Sequence, residues 1–139
     1  MESTPLWERH LDRRDRGSGL VQGVIGAFVV VVLMLLVFQL CMWLHAYHVA
    51  AAAAQTALAT GRTEDGTVAA ASGEGEDLLA RNAGGSLIVS AITVDQGAET
   101  VTVTVTGEAP SLLPALGLDW PVEVQAVGPR ERFVPAGGQ

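Results

Sequence analysis

From Leu20 to Leu44 the chain reads LVQGVIGAFVVVVLMLLVFQLCMWL, which contains no formal charge. A helix of this length rises about 37 Å, which exceeds the roughly 30 Å of hydrocarbon in a bilayer. The stretch holds 16 Leu, Ile, Val and Phe residues. Each contributes roughly −0.3 to −0.6 kcal/mol to insertion, and together they outweigh the cost of the two glutamines. The stretch therefore predicts one membrane-spanning helix, with boundaries at residues 19–45.

Two alternatives involve cleavage. The stretch could be a secretory signal cut in the Ala50–Ala54 run, but the hydrophobic core of such signals is about 7–15 residues long. It could also be a lipoprotein signal ending at Cys41, although Phe38-Gln39-Leu40 lacks the small residues that such a site needs. An uncleaved span is the favoured interpretation.

The basic residues are placed asymmetrically around this span. Four arginines precede it, and the first basic residue after it is Arg62. Because positive charge is retained in the cytoplasm, the N-terminus is predicted to be cytoplasmic and residues 46–139 to lie outside. Trp43 and Tyr47 then form an interfacial belt, where aromatic rings are enriched. The four arginines are Arg9, Arg13, Arg14 and Arg16.

Beyond the span the chain is polar, acidic and rich in Gly, Ala and Thr. The length of 139 residues suits one small domain plus an anchor. The formal net charge of −7 argues against nucleic acid as a partner, because binding phosphate requires basic residues. The single cysteine, Cys41, excludes a disulfide within the chain.

The alanine-rich sequence after the span favours continued helix. No Pro or Gly occurs from His45 until Gly61, so we expect one helical rod from about Gly19 to Thr60. A flexible stretch over Gly61–Gly75 should follow, with helical pieces at Thr67–Ala71 and Glu76–Asn82. Gly84-Gly85 should end this region.

The last third of the sequence changes to the period of a β-strand. Ser86–Asp95, Thr100–Thr106 and Pro121–Val127 are predicted strands, with a hairpin turn at Gln96–Glu99 and an apolar, proline-containing loop at Glu108–Trp120. The expected buried faces are Val101, Val103 and Val105 on the second strand, and Val122, Val124 and Ala126 on the third. Such a sheet needs a helical cover, for which the outer part of the rod or the segment around Leu78 and Leu79 is suited.

The predicted fold class is therefore α+β. A long N-terminal transmembrane helix, extended by an Ala-rich helix, packs on a small three-stranded antiparallel sheet. The expected segments are a cytoplasmic part at 1–18, the transmembrane helix at 19–45, an extracytoplasmic helical region with a flexible linker at 46–85, the sheet domain at 86–134, and a tail at 135–139.

No catalytic or metal-binding pattern is evident in the sequence. His45 and His48 share a helix face but lack further ligands nearby, and Cys41 has no base partner. We therefore predict a protein that is not an enzyme and that uses no cofactor.

Small residues are concentrated at the start of the span. Gly19, Gly23 and Ala27 follow a small-xxx-small spacing, with Gly26 beside them. This spacing lets helices approach closely in lipid. The stretch predicts a helix-packing face, although Gly and Ala are also common in membrane helices generally.

The start of the chain resembles TadE-like proteins, which are pilin-like proteins of tight-adherence pilus systems related to type IV prepilins. The likeness lies in Arg16-Gly17-Ser18-Gly19-Leu20-Val21-Gln22 before a long apolar helix, and in an alanine-rich continuation. It extends to the Thr/Val alternation, Ala109–Pro114 and Gly128–Phe133, which look like actinobacterial members. The resemblance implies a processing and assembly motif at Gly17, Ser18 and Gln22, a prepilin peptidase, and other pilin-like subunits as partners in the membrane.

The chain departs from the family pattern at one informative position. Gln22 stands where the family has a glutamate, so no carboxylate is available to pair with a neighbouring subunit's freed N-terminal amine. The expected function is a pilin-like (minor pilin or pseudopilin) component of a tight-adherence pilus or related secretion machine. An unprocessed single-pass scaffold and a membrane-anchored extracellular binding module are the alternatives.

Overall fold

The computed structural model describes residues 8–114 and 117–131, with the side chains of 8–18 and 89–90 left aside. Residues 1–7 of the predicted cytoplasmic segment, the end of the predicted sheet domain and the 135–139 tail lie outside the described residues. The α+β class is confirmed. The elements in chain order are α1 (Glu8–Gly61), α2 (Val68–Asn82), β1 (Ile88–Gln96), β2 (Thr100–Glu108) and β3 (Pro121–Pro129).

The chain divides into two compact units, Met1–Phe38 and Gln39–Gln139. The described part of the first unit is the beginning of α1. The second unit, here called the α+β unit, contains the rest of α1 and every other element. The predicted span at 19–45 is helical throughout, but its last residues, from Gln39 onward, belong to the α+β unit.

The sheet has the strand order β1-β2-β3, and both pairs are antiparallel. Val103, at the centre of β2, lies opposite Val94 on β1 and Ala126 on β3. The β1–β2 hairpin closes where the sequence predicts it, with the Gly97 N–H donating to the Thr100 carbonyl at 2.8 Å. A longer connection, here called the β2–β3 loop (residues 109–120), joins the other two strands.

The predicted faces of β2 and β3 are confirmed by burial. Val101, Val103 and Val105 have no exposed surface, whereas Thr102 and Thr104 between them are partly exposed. On β3, burial alternates residue by residue from Val122 to Gly128. Burying one valine side chain contributes about 1.5–3 kcal/mol, so this single face of the sheet accounts for much of the unit's stability.

The cover over this face comes from both predicted sources. The second half of α1 contributes a stripe with helical spacing, and α2 contributes Leu79, with Leu78 partly buried beside it. Alanine dominates the stripe because a small side chain lets the helix axis approach the sheet closely. The buried residues of the stripe are Ala46, Val49, Ala50, Ala53, Ala54, Ala57 and Leu58.

The expected flexible stretch over Gly61–Gly75 is too long, because α2 already begins at Val68 and continues through Gly73 and Gly75. Thr67 caps the helix by accepting a hydrogen bond from the Ala70 N–H at 3.1 Å. A Cβ at Gly75 would lie 2.7 Å from Ile92 Cδ1 and 3.2 Å from Ala57 Cβ. Close packing between α1, α2 and β1 therefore accounts for this glycine and overrides its low helix propensity.

The ends of both helices are closed by specific groups. Gln96 Nε2 donates to the Gly61 carbonyl at 3.0 Å and to the Gly66 carbonyl at 3.2 Å. A residue of the sheet thus provides a hydrogen-bond donor for the last carbonyl of α1. After α2, Gly84 and Gly85 take positive φ angles of 51° and 85°. These angles favour glycine and account for the predicted end of the segment.

Candidate membrane anchor and its flanking contacts

The apolar segment, Gly19–Phe38, exposes large hydrophobic side chains on all sides. Leu20 is 74% exposed, Phe28 67% and Phe38 61%. A soluble protein rarely exposes so large an apolar surface, whereas lipid accommodates it. Within residues 8–114 and 117–131, α1 from Gly19 onward is the one helix long and apolar enough to cross a membrane, and 6% of its most apolar window is buried. The core helix of a soluble protein would be mostly buried.

The length of this segment matches the hydrocarbon layer. Residues 19–38 are 20 residues, which rise about 30 Å as a helix, and the hydrocarbon core of a bilayer is also about 30 Å thick. Gly19–Phe38 is therefore long enough by itself to cross the hydrocarbon layer.

The predicted packing face lies open on the apolar segment. Gly19, Gly23, Gly26 and Ala27 are exposed, and no atom lies within 4 Å of a Cβ built on any of the three glycines. Their helical spacing places them along one side of α1. Helix packing at this face stays a prediction, because a neighbouring helix would have to provide the contact.

The predicted processing motif lies within α1. Gly17 and Ser18 have helical backbone, and their side-chain environment lies outside what is described. Gln22, one turn further along, is exposed. Processing after Gly17 stays a prediction.

Gln39 is a structural residue that sequence reasoning missed. It is 4% exposed, and its amide makes two hydrogen bonds with the backbone of the β2–β3 loop. Nε2 donates to the Pro110 carbonyl at 3.1 Å, and Oε1 accepts from the Leu112 N–H at 2.8 Å. A buried amide with both ends satisfied is favourable, whereas removing it leaves two backbone groups without partners.

One sequence signal pointed to this contact. The segment from Glu108 to Trp120 contains Pro110 and Pro114 and cannot continue the sheet, so its backbone polar groups need partners outside the strands. The sequence does not identify which side chain provides them, because Gln22 and Gln39 stand in similar apolar surroundings.

The two aromatic residues of the predicted belt are brought together. The Trp43 and Tyr47 rings lie 5.9 Å apart with an interplanar angle of 31°. Trp43 packs partly buried against the core, and its indole N–H donates to the Pro121 carbonyl at 3.0 Å. Tyr47 is 37% exposed. Trp43 thus has a structural partner within the α+β unit, and the interfacial role of the pair stays a prediction.

The remaining candidate residues of the described chain are two histidines and the cysteine. His45, His48 and Cys41 are exposed. In the part of the chain that the structure describes, no group of three or more His, Cys, Asp or Glu side chains is placed to hold a metal ion.

No protein-family model, curated protein or solved structure matches this chain.

Proposed function

We propose that this chain is a single-pass membrane protein and a pilin-like, non-catalytic component of a tight-adherence pilus or related secretion machine. In this proposal Gly19–Phe38 crosses the bilayer, the N-terminus is cytoplasmic, and the α+β unit lies outside. The partners are the membrane, other pilin-like subunits and a prepilin peptidase.

The observation that carries the proposal is the change in surroundings along α1. Side chains from Gly19 to Phe38 are largely exposed and apolar, and from Gln39 onward one side of the helix is buried in a folded unit. The segment holds 14 Leu, Ile, Val and Phe residues. They favour insertion by about 4–8 kcal/mol in total, which exceeds the cost of Gln22.

The positions of core residues weigh against cleavage after the apolar segment. Ala50, Ala53 and Ala54 are fully buried in the α+β unit, so a cut among them would remove part of the helix that covers the sheet. A cut before Cys41 would remove Gln39 and leave the Pro110 and Leu112 backbone groups without their partner. Both considerations favour a permanent anchor.

The arginine distribution supports the orientation. Four arginines lie between Arg9 and Arg16, and none occurs from Gly17 to Gly61. The positive-inside rule applies to short flanking segments of this kind.

The pilin-like assignment rests on the resemblance at Gly17–Gln22 together with the layout of the chain. The likeness includes the long apolar helix and its alanine-rich continuation, which form one helix, α1, in the structure. Gln22 favours a second candidate, an unprocessed single-pass scaffold, because an amide cannot neutralise a freed N-terminal amine.

Intact mass of the protein extracted from membranes separates these candidates. A mature chain beginning at Ser18 supports the pilin-like route, and Gly17→Val should then block the cut whereas Gly19→Val should not. A chain that keeps Met1 supports the scaffold and contradicts processing. A chain beginning near Ala50 contradicts the anchor.

Helix packing can be tested at Gly23. Gly23→Leu should reduce crosslinking between membrane helices, because a larger side chain prevents close approach at the small-residue face. Ile25→Leu, at an exposed position on another side of the helix, is the matched control and should leave crosslinking unchanged. Equal crosslinking in both variants would remove the packing face from the proposal.

A further inference from the structure

The β2–β3 loop is unusually apolar for a connection between two strands. No charged residue occurs from Ala109 to Leu118, and this stretch includes Leu112, Leu113, Leu116 and Leu118. Leu112 is 40% exposed and Leu118 is 49% exposed. Glu108 and Asp119 flank the stretch and are both exposed. Apolar side chains thus face outward between two acidic residues.

Hydrogen bonds hold this loop at a defined place on α1. The Ala109 N–H donates to the Trp120 carbonyl at 2.9 Å and closes the base of the loop. Gln39 binds the Pro110 carbonyl and the Leu112 N–H. Leu112 is therefore held beside the first residue of the α+β unit, although Gln39 and Leu112 are 73 positions apart in sequence.

The position of Gln39 in the chain relates the loop to the bilayer. Gln39 directly follows Phe38, the last residue of the proposed span, so it should lie at the edge of the hydrocarbon. The headgroup region beyond that edge is roughly 5–7 Å thick on each side. Trp43 lies four residues beyond Gln39, about 6 Å further along the axis of α1, which is close to the thickness of that region. If the span ends at Phe38, the next residue, Gln39, and the loop backbone bound to it begin at the headgroup region.

We propose that the β2–β3 loop inserts Leu112 and Leu118 into the interfacial layer of the bilayer and forms a second contact with lipid. This inference rests on the proposed membrane anchor. The occupant is lipid because the backbone of Leu112 is hydrogen-bonded to Gln39, which adjoins the span, and Leu118 is exposed on the same loop. The contact is apolar and does not require anionic lipid, since the loop offers no basic side chain and its flanking residues are acidic.

Fluorescence quenching in vesicles tests the proposal. Single cysteines replace Leu112, Leu118, Val127 and Val30, one at a time, in a full-length chain that carries Cys41→Ser. Each is labelled with an environment-sensitive fluorophore and reconstituted into phosphatidylcholine vesicles that carry a quencher either near the headgroups or deep in the acyl chains. Val127 is the matched control, because it is an apolar residue that is 58% exposed on β3.

The expected result is loss of fluorescence at positions 112 and 118 with the shallow quencher, and at position 30 with the deep quencher. Emission at 112 and 118 should also shift to shorter wavelength relative to 127, which should not be quenched. Unquenched labels at 112 and 118 with a quenched label at 30 would overturn the loop contact and leave the anchor in place. An unquenched label at 30 would contradict the anchor, and the loop contact with it. Near-UV circular dichroism of each variant identifies any that fails to fold.

Discussion

The two parts of α1 differ in the size and in the burial of their apolar side chains. Gly19–Phe38 carries large β-branched and aliphatic side chains that remain exposed, whereas Ala46–Leu58 buries a narrow stripe of small side chains against a sheet. Large side chains increase the apolar area that a helix offers to lipid. Small side chains allow close approach and tight packing against β2 and β3. Side-chain size, more than hydrophobicity alone, therefore distinguishes the two environments.

The largest effect is expected when charge is placed in the apolar segment, Gly19–Phe38. Val30→Arg combined with Leu33→Arg should make the free energy of membrane insertion less favourable by about 6 kcal/mol. Each arginine near the bilayer centre costs about 2.5–3.5 kcal/mol. Carbonate extraction of membranes should show the variant moving to the soluble fraction. The same pair of changes at exposed positions 52 and 59, Ala52→Arg and Ala59→Arg, should leave the protein in the membrane. Retention of the Val30/Leu33 variant would contradict the anchor.

The two glutamines of α1 lie in its two different parts, Gln22 in the apolar segment and Gln39 in the α+β unit. Gln39→Leu should lower the free energy of unfolding of the α+β unit by about 1–3 kcal/mol, because two backbone groups of the β2–β3 loop lose their partners. Gln22→Leu is the control and should leave that free energy within about 0.5 kcal/mol, because Gln22 is exposed. Denaturant unfolding in detergent micelles, followed by near-UV circular dichroism, measures both. Equal effects of the two changes would argue against the Gln39 contact.

The two glycines inside α2 should respond with opposite signs. Gly75→Ala should destabilise the α+β unit by about 1 kcal/mol, because the new methyl group would meet Ile92 and Ala57 in a packed interface. Gly73→Ala should stabilise it by about 0.5–1 kcal/mol, because no atom lies within 4 Å of its Cβ position and alanine favours helix. Thermal unfolding in micelles gives the order of stability, and a stabilising Gly75→Ala would show that α2 does not approach α1 closely.

The sequence predicts those features that depend on local periodicity. The alternation from Val101 to Val105 determines which face of β2 is buried, and the uncharged run from Leu20 identifies the apolar helix. Gly75 misled the prediction because its place in α2 depends on contacts with α1 and β1, which local propensity does not include. Gln39 was missed for the same reason, since its partners are more than 70 positions away. The packing face at Gly19–Ala27 depends on contact with a neighbouring helix.

Cysteine accessibility in membranes tests the division of α1 most directly. In a Cys41→Ser background, Val30→Cys and Glu74→Cys place single thiols in the apolar segment and on an exposed position of α2. A membrane-impermeant maleimide added to intact spheroplasts should label Cys at position 74, and should label position 30 only after detergent and denaturant are added. Labelling at position 30 in intact membranes, or protection of position 74 until the cells are lysed, would contradict the proposed span or its orientation.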